Sequence, residues 1–367
     1  MIAALIAAAA VAALSPDCDL EHPSGKAGCT RGAVDGLKIN QIQTVGSHNS
    51  YKAAIAPLEM ANLRARNPKA ADTLDYSHPA LTEQLNDGAR QLEIDFVYDP
   101  DGGRYSAPLA RKLAPDTTPY DLSTMTRPGM KVIHVPDIDY RVVCQPFIAC
   151  LSEIRAWSRA HRDHVPILVI FNLKQDQLKV PGAVKLLPFD AAAMNAIDAE
   201  IRSVFKPGEL ITPDQVQGRR ATLREAVLAG GWPTLKAARG KFLFAMDEPP
   251  EVVAVYRGAR ASLEGRATFI NTDEASPAAA YITLNEPIDL QARIQAAVRA
   301  GFIVRTRADA DTWEARRNDT RPREAAFASG AQYVSTDYMH PDSRFSGYQA
   351  RLPGGGVARL SPVQPKP

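Results

Sequence analysis

The chain has little surplus charge of either sign. Across 367 residues, 43 basic side chains face 41 acidic ones, for a formal net charge of +2. That near-balance excludes a bulk electrostatic pull toward nucleic acid, so an anionic ligand has to be recognised by local charges. Cysteine is scarce: there are four, Cys18, Cys29, Cys144 and Cys150. None has a histidine or second cysteine pair at zinc-finger spacing, which excludes a cysteine metal site. No glycine-rich nucleotide turn follows the first strand-like run, because Gly46 has no second glycine at the required offset. No repeat at a solenoid period stands out. Long apolar runs are confined to residues 1–14, "MIAALIAAAAVAAL", well short of the ~20 residues a spanning helix needs. No transmembrane segment is expected in the mature chain.

What is present is ordinary in bulk, with 45% hydrophobic and 23% charged residues, as in soluble globular proteins. The length suits one large barrel or two smaller domains. The apolar leader suits a secretory signal peptide, although no Lys or Arg precedes it, with cleavage between Ala12 and Pro16. This predicts a secreted or periplasmic protein. Cys18 follows Ser15-Pro16-Asp17, which is not a lipoprotein cleavage box, so no acyl anchor is expected. In an oxidising compartment the four cysteines allow three pairings, and their spacing favours Cys18–Cys29 with Cys144–Cys150. The expected organisation is a signal peptide over 1–15, one catalytic domain over 16–350 and a flexible Pro/Gly-rich tail over 351–367.

Between leader and tail, short β-rich runs alternate with amphipathic stretches. The runs are "INQIQTV" (39–45), "RQLEIDFVY" (90–98), "MKVIHV" (130–135), "PILVIFNL" (166–173), "KFLFAM" (241–246), "ATFIN" (267–271), "GFIVRT" (301–306) and "AQYVST" (331–336). Helical stretches include 147–163 and 191–205. Near-continuous apolar strands alternating with helices argue for a covered parallel sheet. About eight such units predict an α/β fold, a TIM-type (β/α) barrel, regular or distorted. An open doubly wound sheet is the alternative. The connection from Pro100 to Pro128 is longer than a barrel loop requires, and such loops are functional or disordered.

In a barrel the active site lies at the carboxyl ends of the strands. There the sequence places His48 and Asn49, Glu93 and Asp95, His134, Asn172 and Lys174, Arg305 and Arg307, and Asp337. Glu93 and Asp95 are two apart, so on a strand they share a face. Two carboxylates buried together repel unless a cation sits between them or one stays protonated. An ion pair with nearby arginines would satisfy them. A divalent metal is the simpler resolution, and the oxygen donors of Asn49, Glu93, Asp95 and Asn172 favour Ca²⁺ or Mg²⁺ over zinc. His48 and His134 across one mouth, with arginine and lysine nearby, suit acid–base cleavage of a phosphate ester. The other histidines, His22, His78, His161, His164 and His340, are read as structural.

These residues in this order resemble the phosphatidylinositol-specific phospholipase C catalytic domain, in particular its secreted bacterial calcium-dependent branch. The pieces that carry the resemblance are "GSHNSY" (46–51), "YSHPALTEQLNDGARQLEIDF" (76–96), "KVIHVPDIDYRVVC" (131–144), "IRAWSRAH" (154–161) and "GAQYVSTDYMHPD" (330–342). The resemblance implies a TIM-barrel phosphodiesterase that attacks the phosphate with the inositol 2-hydroxyl. It implies His48 and His134 as catalytic histidines and Asn49, Glu93 and Asp95 as ligands of a Ca²⁺ cofactor. The fourth ligand in that branch is a carboxylate where this chain has Asn172, which removes a negative charge; Asp337 or Asp247 could compensate. Lys174, Arg305, Arg307 and Asp337 are candidates for holding phosphate or inositol hydroxyls. The expected partner is a phospholipid headgroup at a membrane surface, met by a monomer. The loop aromatics Tyr105, Tyr140, Tyr338 and Phe345 are candidates for touching that surface. A glycerophosphodiester phosphodiesterase, or a weakly catalytic inositol-phosphate-binding protein, is the alternative.

Overall fold

The apolar runs become strands whose faces are both buried, as the absence of alternating polar residues requires. The structure, a computed structural model, describes residues 14–365. Its strands in chain order are β1 (Ile42–Ser47), β2 (Gln91–Glu93), β3 (Phe96–Val97), β4 (Lys131–Val132), β5 (Ile167–Phe171) and β6 (Phe242–Met246). They continue as β7 (Thr268–Ile270), β8 (Tyr281–Thr283), β9 (Ile303–Arg307), β10 (Tyr333–Thr336) and β11 (Ala358–Leu360). Parallel ladders join β2, β5, β6 and β7 in one arc and β8, β9, β10 and β1 in another.

The two arcs meet at both ends, giving the eight-stranded barrel. At one seam a parallel bridge pairs Asn271 with Tyr281. At the other, the Arg90 N–H donates to the Val45 carbonyl at 2.8 Å. Gly46 permits that approach, because a Cβ there would stand 2.2 Å from the Gln91 carbonyl oxygen.

Membership of the barrel differs from expectation in one strand. The run 130–135 is not a barrel strand: β4 pairs antiparallel with β3, and this small ribbon sits just beyond the carboxyl end of β2. The missing barrel strand is β8, three residues long after Ala278-Ala279-Ala280. A short strand introduced by alanines carries little β-propensity, so the pattern hid it.

Outside the barrel, the helix Phe147–Ala160 buries Phe147, Cys150, Leu151, Ile154 and Trp157, a stripe at i, i+3 and i+4 spacing. The helix Ala191–Val204 buries Met194, Ile197 and Ile201 in the same way, and its first turn is capped by Asp190, which accepts from the amides of Ala192 and Ala193. The disulfides are Cys18–Cys29 and Cys144–Cys150.

The connection 100–128 is ordered. Its Tyr105 and Met125 are buried against Val97, Ile133 and Leu186 in a small second core. The end of the chain also departs from the expected mobile tail. β11 pairs antiparallel with β1 from Ile42–Leu360 to Thr44–Ala358, covering the half of the β1 edge that β2 does not reach. Unpaired edge amides and carbonyls favour such capture. Tyr105, Tyr140 and Tyr338 are buried and cannot meet a membrane, while Phe345 is partly covered and lies under the guanidinium of Arg316. Among the described residues no helix is long and apolar enough to cross a membrane. Most of the expected signal peptide, residues 1–13, lies outside the described residues.

Candidate active site

The loop after β1 turns back at Asn49, whose φ of +45° is a left-handed conformation that asparagine tolerates better than most residues. The turn points His48, Asn49 and Tyr51 into the barrel mouth. His48 Nδ1 lies 2.9 Å from an Asp337 carboxylate oxygen at the end of β10. Its Nε2 receives the Arg307 guanidinium at 3.1 Å from the end of β9. The Asp337 contact fixes the proton on Nδ1 and leaves a lone pair on Nε2. Burial, helped by Arg307 and Arg305 but opposed by Asp337, lowers the His48 pKa to about 3, so its ring is neutral near pH 7.

His134 arrives from the opposite side, on the turn after β4. Its Nδ1 lies 2.7 Å from Asp139, which also pairs with buried Lys52 at 3.3 Å. Both imidazoles direct Nε2 toward the same atom: the Asn49 amide nitrogen stands 3.3 Å from that of His48 and 3.1 Å from that of His134. The Tyr76 hydroxyl completes the contacts of that nitrogen at 2.6 Å. Two histidines far apart in sequence therefore flank one small space.

Glu93 and Asp95 enter the same mouth. Each already has an internal cation: Arg305 lies 2.9 Å from Glu93, and Lys174 lies 2.7 Å from Asp95. Burial nonetheless pushes Glu93 up to about 7, against the pull of Arg305 and with repulsion from Asp95. Burial also acts on Asp95, but the Lys174 ammonium and the Asn172 amide hold it below the usual carboxylate range. The Tyr51 hydroxyl links Asp95 at 3.0 Å to the Asn49 side-chain oxygen at 3.1 Å. The Asn172 backbone N–H donates to Asp95 at 2.8 Å, which places this residue next to Asp95.

Several residues take roles other than those expected. Asp337 is turned onto His48, not toward a substrate or the acidic pair. Arg305 is fully buried between Glu93 and Asn285, leaving Arg307 as the guanidinium beside the histidines. Asp247 binds Asn271, while the side chain of Asn172 donates to the Asp247 backbone carbonyl. The neighbouring Glu248 accepts from the Leu173 N–H, and burial lifts it to about 7. It puts a further carboxyl near Asn172, ionised only in part near pH 7. Sequence reasoning also missed Lys52, Tyr51, Tyr76, Asp139 and His78. His78 donates to the His48 carbonyl at 2.8 Å and is not a bland loop residue. Asp139 was the most accessible of these, lying in "HVPDIDY" five residues after His134.

Among the described residues no group of three or more His, Cys, Asp or Glu is arranged as a metal site. The donor chemistry still fits a hard cation: two carboxylates and two amide side chains, with burial disfavouring the charged form of Glu93 when no ion is bound. A cavity of about 660 Å³ lies elsewhere. It lies by Arg90 and His164, ahead of β2 and β5, where Glu21 pairs with Arg90. Its position at the amino ends of the strands argues against catalysis there.

A barrel with two imidazoles and an acidic pair at its carboxyl mouth is the architecture of a phosphodiesterase. Residues 37–362 match the family model described as phosphoinositide phospholipase C, Ca²⁺-dependent, and the chain belongs to that family. It is thus an enzyme, a phosphoric diester hydrolase that cleaves phosphatidylinositol, from a calcium-dependent family. Among solved structures, the calcium-dependent phosphoinositol-specific phospholipase C of a Gram-negative Pseudomonas species is 18% identical, with a TM-score of 0.54 over 89% of this chain and 96% of that one. The calcium-dependent phosphatidylinositol-specific phospholipase C of Streptomyces antibioticus is 19% identical, with a TM-score of 0.51 over 82% of this chain and 95% of that one. Among curated proteins, none matches.

Proposed function

We propose that His48 and His134 are the base and acid of a two-step cleavage. The observation that carries this reading is the placement of both Nε2 atoms around the single Asn49 amide nitrogen. In the first step His48 Nε2 takes the proton of the inositol 2-hydroxyl. The oxygen bonds to phosphorus as the bond from phosphorus to the glycerol oxygen breaks. His134 gives its proton to that departing oxygen, releasing diacylglycerol and a cyclic inositol phosphate. In the second step the roles reverse: His134 accepts a proton from water, and protonated His48 returns one to the 2-oxygen as the ring opens. Asp337 and Asp139 hold the two rings in the required orientation. Arg307, beside His48, suits a non-bridging phosphate oxygen.

Glu93, Asp95, Asn49 and Asn172 would hold the calcium ion, with the Glu248 carboxyl nearby. When bound, the ion lowers the pKa of the attacking hydroxyl and neutralises charge growing on the phosphate. Lys174, now 2.7 Å from Asp95, would compete with the ion for that carboxylate. The disulfides support an exported enzyme, which we read as a monomer working on lipid headgroups at a membrane surface. Phosphorus NMR of products from phosphatidylinositol, with and without calcium, tests the reading. A cyclic phosphate that precedes the open product supports it, and direct formation of open phosphate overturns the 2-hydroxyl route. A glycerophosphodiester phosphodiesterase would instead turn over glycerophosphocholine.

A further inference from the structure

Against the segment that follows His134 lies a cleft of about 380 Å³, lined in part by Asp137 and Ile138, that the chemistry above leaves unused. Its walls include Ile55, Leu63, Leu109, Ile138, Leu178 and Val180. Ile55 and Leu63, Ile138, and Leu178 and Val180 come from three segments that also carry active-site residues, and Leu109 comes from a fourth, in the 100–128 connection. Ile55 follows Lys52, Ile138 immediately precedes Asp139, and Leu178 lies in the loop that begins at Lys174. Lys52 and Asp139 are the residues that hold His134.

Two of the four polar side chains that line the cleft, Asp137 and Glu59, are already engaged, while Asn62 and Arg66 also line it. Asp137 accepts from the amides of Leu109 at 2.9 Å and Val184 at 2.6 Å. Glu59 accepts from the Tyr140 hydroxyl at 2.6 Å and pairs with Arg141. Beyond Asn62 and Arg66, what remains for an occupant is hydrocarbon surface. Leu113 and Val180, 48% and 43% exposed, stand at the opening. Exposed Arg66, Arg111, Lys112 and Lys179 lie on the same segments and match the negative charge of phospholipid headgroups.

We infer that this cleft is an acyl-chain subsite for the diacylglycerol leaving group. The inference rests on the proposed roles of the two histidines. If His134 protonates the glycerol oxygen, the glycerol lies on the His134 side of the phosphate. Its acyl chains then extend past Ile138, where the apolar walls begin. A chain drawn in leaves water or lipid for a pocket within the size range of small-molecule sites.

The test uses monomeric phosphatidylinositols of increasing acyl length, with opening of inositol cyclic phosphate as the substrate without chains. For the wild-type enzyme kcat/KM should rise by about three- to fourfold per methylene until the cleft is filled. Leu113→Glu at the opening and Ala110→Trp, which fills the cleft, should flatten that rise without changing cyclic phosphate opening. A flat wild-type series with normal products overturns the subsite and leaves the histidine roles standing. So do variants that lose both activities equally, or an effect seen on vesicles alone, which would assign the cleft to surface docking. A wild-type enzyme that forms no cyclic phosphate from any member overturns the histidine reading, and the subsite with it.

Discussion

The Lys174 ammonium lies 2.7 Å from the Asp95 carboxylate, inside the oxygen cluster proposed to hold calcium. Lys174 is therefore an internal competitor for the ion. Lys174→Met should tighten calcium binding by about tenfold or more, equivalent to about 1.4 kcal/mol. It should also lower the melting temperature of the calcium-free protein, because Asp95 is left buried without a partner. Calorimetric titration and thermal melts with and without calcium check both effects. A variant with unchanged affinity would show that Lys174 and the ion do not share Asp95. Full wild-type activity in a chelator would show that Lys174 and Arg305 suffice as cations.

Asp337 fixes the His48 proton on Nδ1, so Asp337→Asn should favour the wrong tautomer with little change in shape. The expected loss is roughly 10²- to 10⁴-fold in kcat, by analogy with other carboxylate–histidine pairs. Nitrogen NMR of the His48 ring should show the proton moving from Nδ1. Lost activity with an unchanged tautomer would assign Asp337 another role.

His134→Ala should slow cleavage of a lipid substrate by about 10²-fold or more. The loss should shrink for an inositol phosphate ester whose leaving group, such as a nitrophenol, departs without protonation. Equal losses on both substrates would argue against His134 as the acid.

His164, away from the mouth, is buried between Ser158 and the Val165 carbonyl, and burial lowers its pKa to about 4. Its ordinary value is 6.5, so below that pH the unfolded chain takes a proton that the folded protein refuses. Stability should fall as the pH drops from about 6.5 to about 4, by about 3 kcal/mol from this residue. Denaturant melts at several pH values should show part of that slope removed in His164→Gln. An unaltered slope would place the acid sensitivity in other groups, His48 among them.

Because β11 seals part of the β1 edge, removing residues 351–367 should lower the melting temperature by several degrees. A truncated protein with wild-type stability would show that the ladder contributes little.

The fold was legible where periodicity is strong. Runs such as "ILVIF" admit only a strand buried on both faces, and the stripe of Phe147–Ala160 admits only a surface helix. It was illegible at β8 and in the 130–135 run, where an apolar hexapeptide pairs equally well in a barrel or a side ribbon. Composition alone suggested a mobile end to the chain, since glycine and proline are frequent there. Whether three of its residues find an open edge is a long-range matter.

Within the site, residue type and spacing two apart placed Glu93 and Asp95 on one face, and strand ends singled out His48, Asn49 and Lys174. The sequence by itself thus determined part of the inventory of acids, bases and oxygen donors, because strand period and chemistry are local, but it did not single out Tyr51, Lys52, Tyr76, Asp139 or Glu248. Only the tertiary structure decided their partners. It put Asp337 on His48, Asp139 on His134, Arg305 on Glu93 and Lys174 on Asp95, since these contacts join segments whose separation the backbone period does not encode.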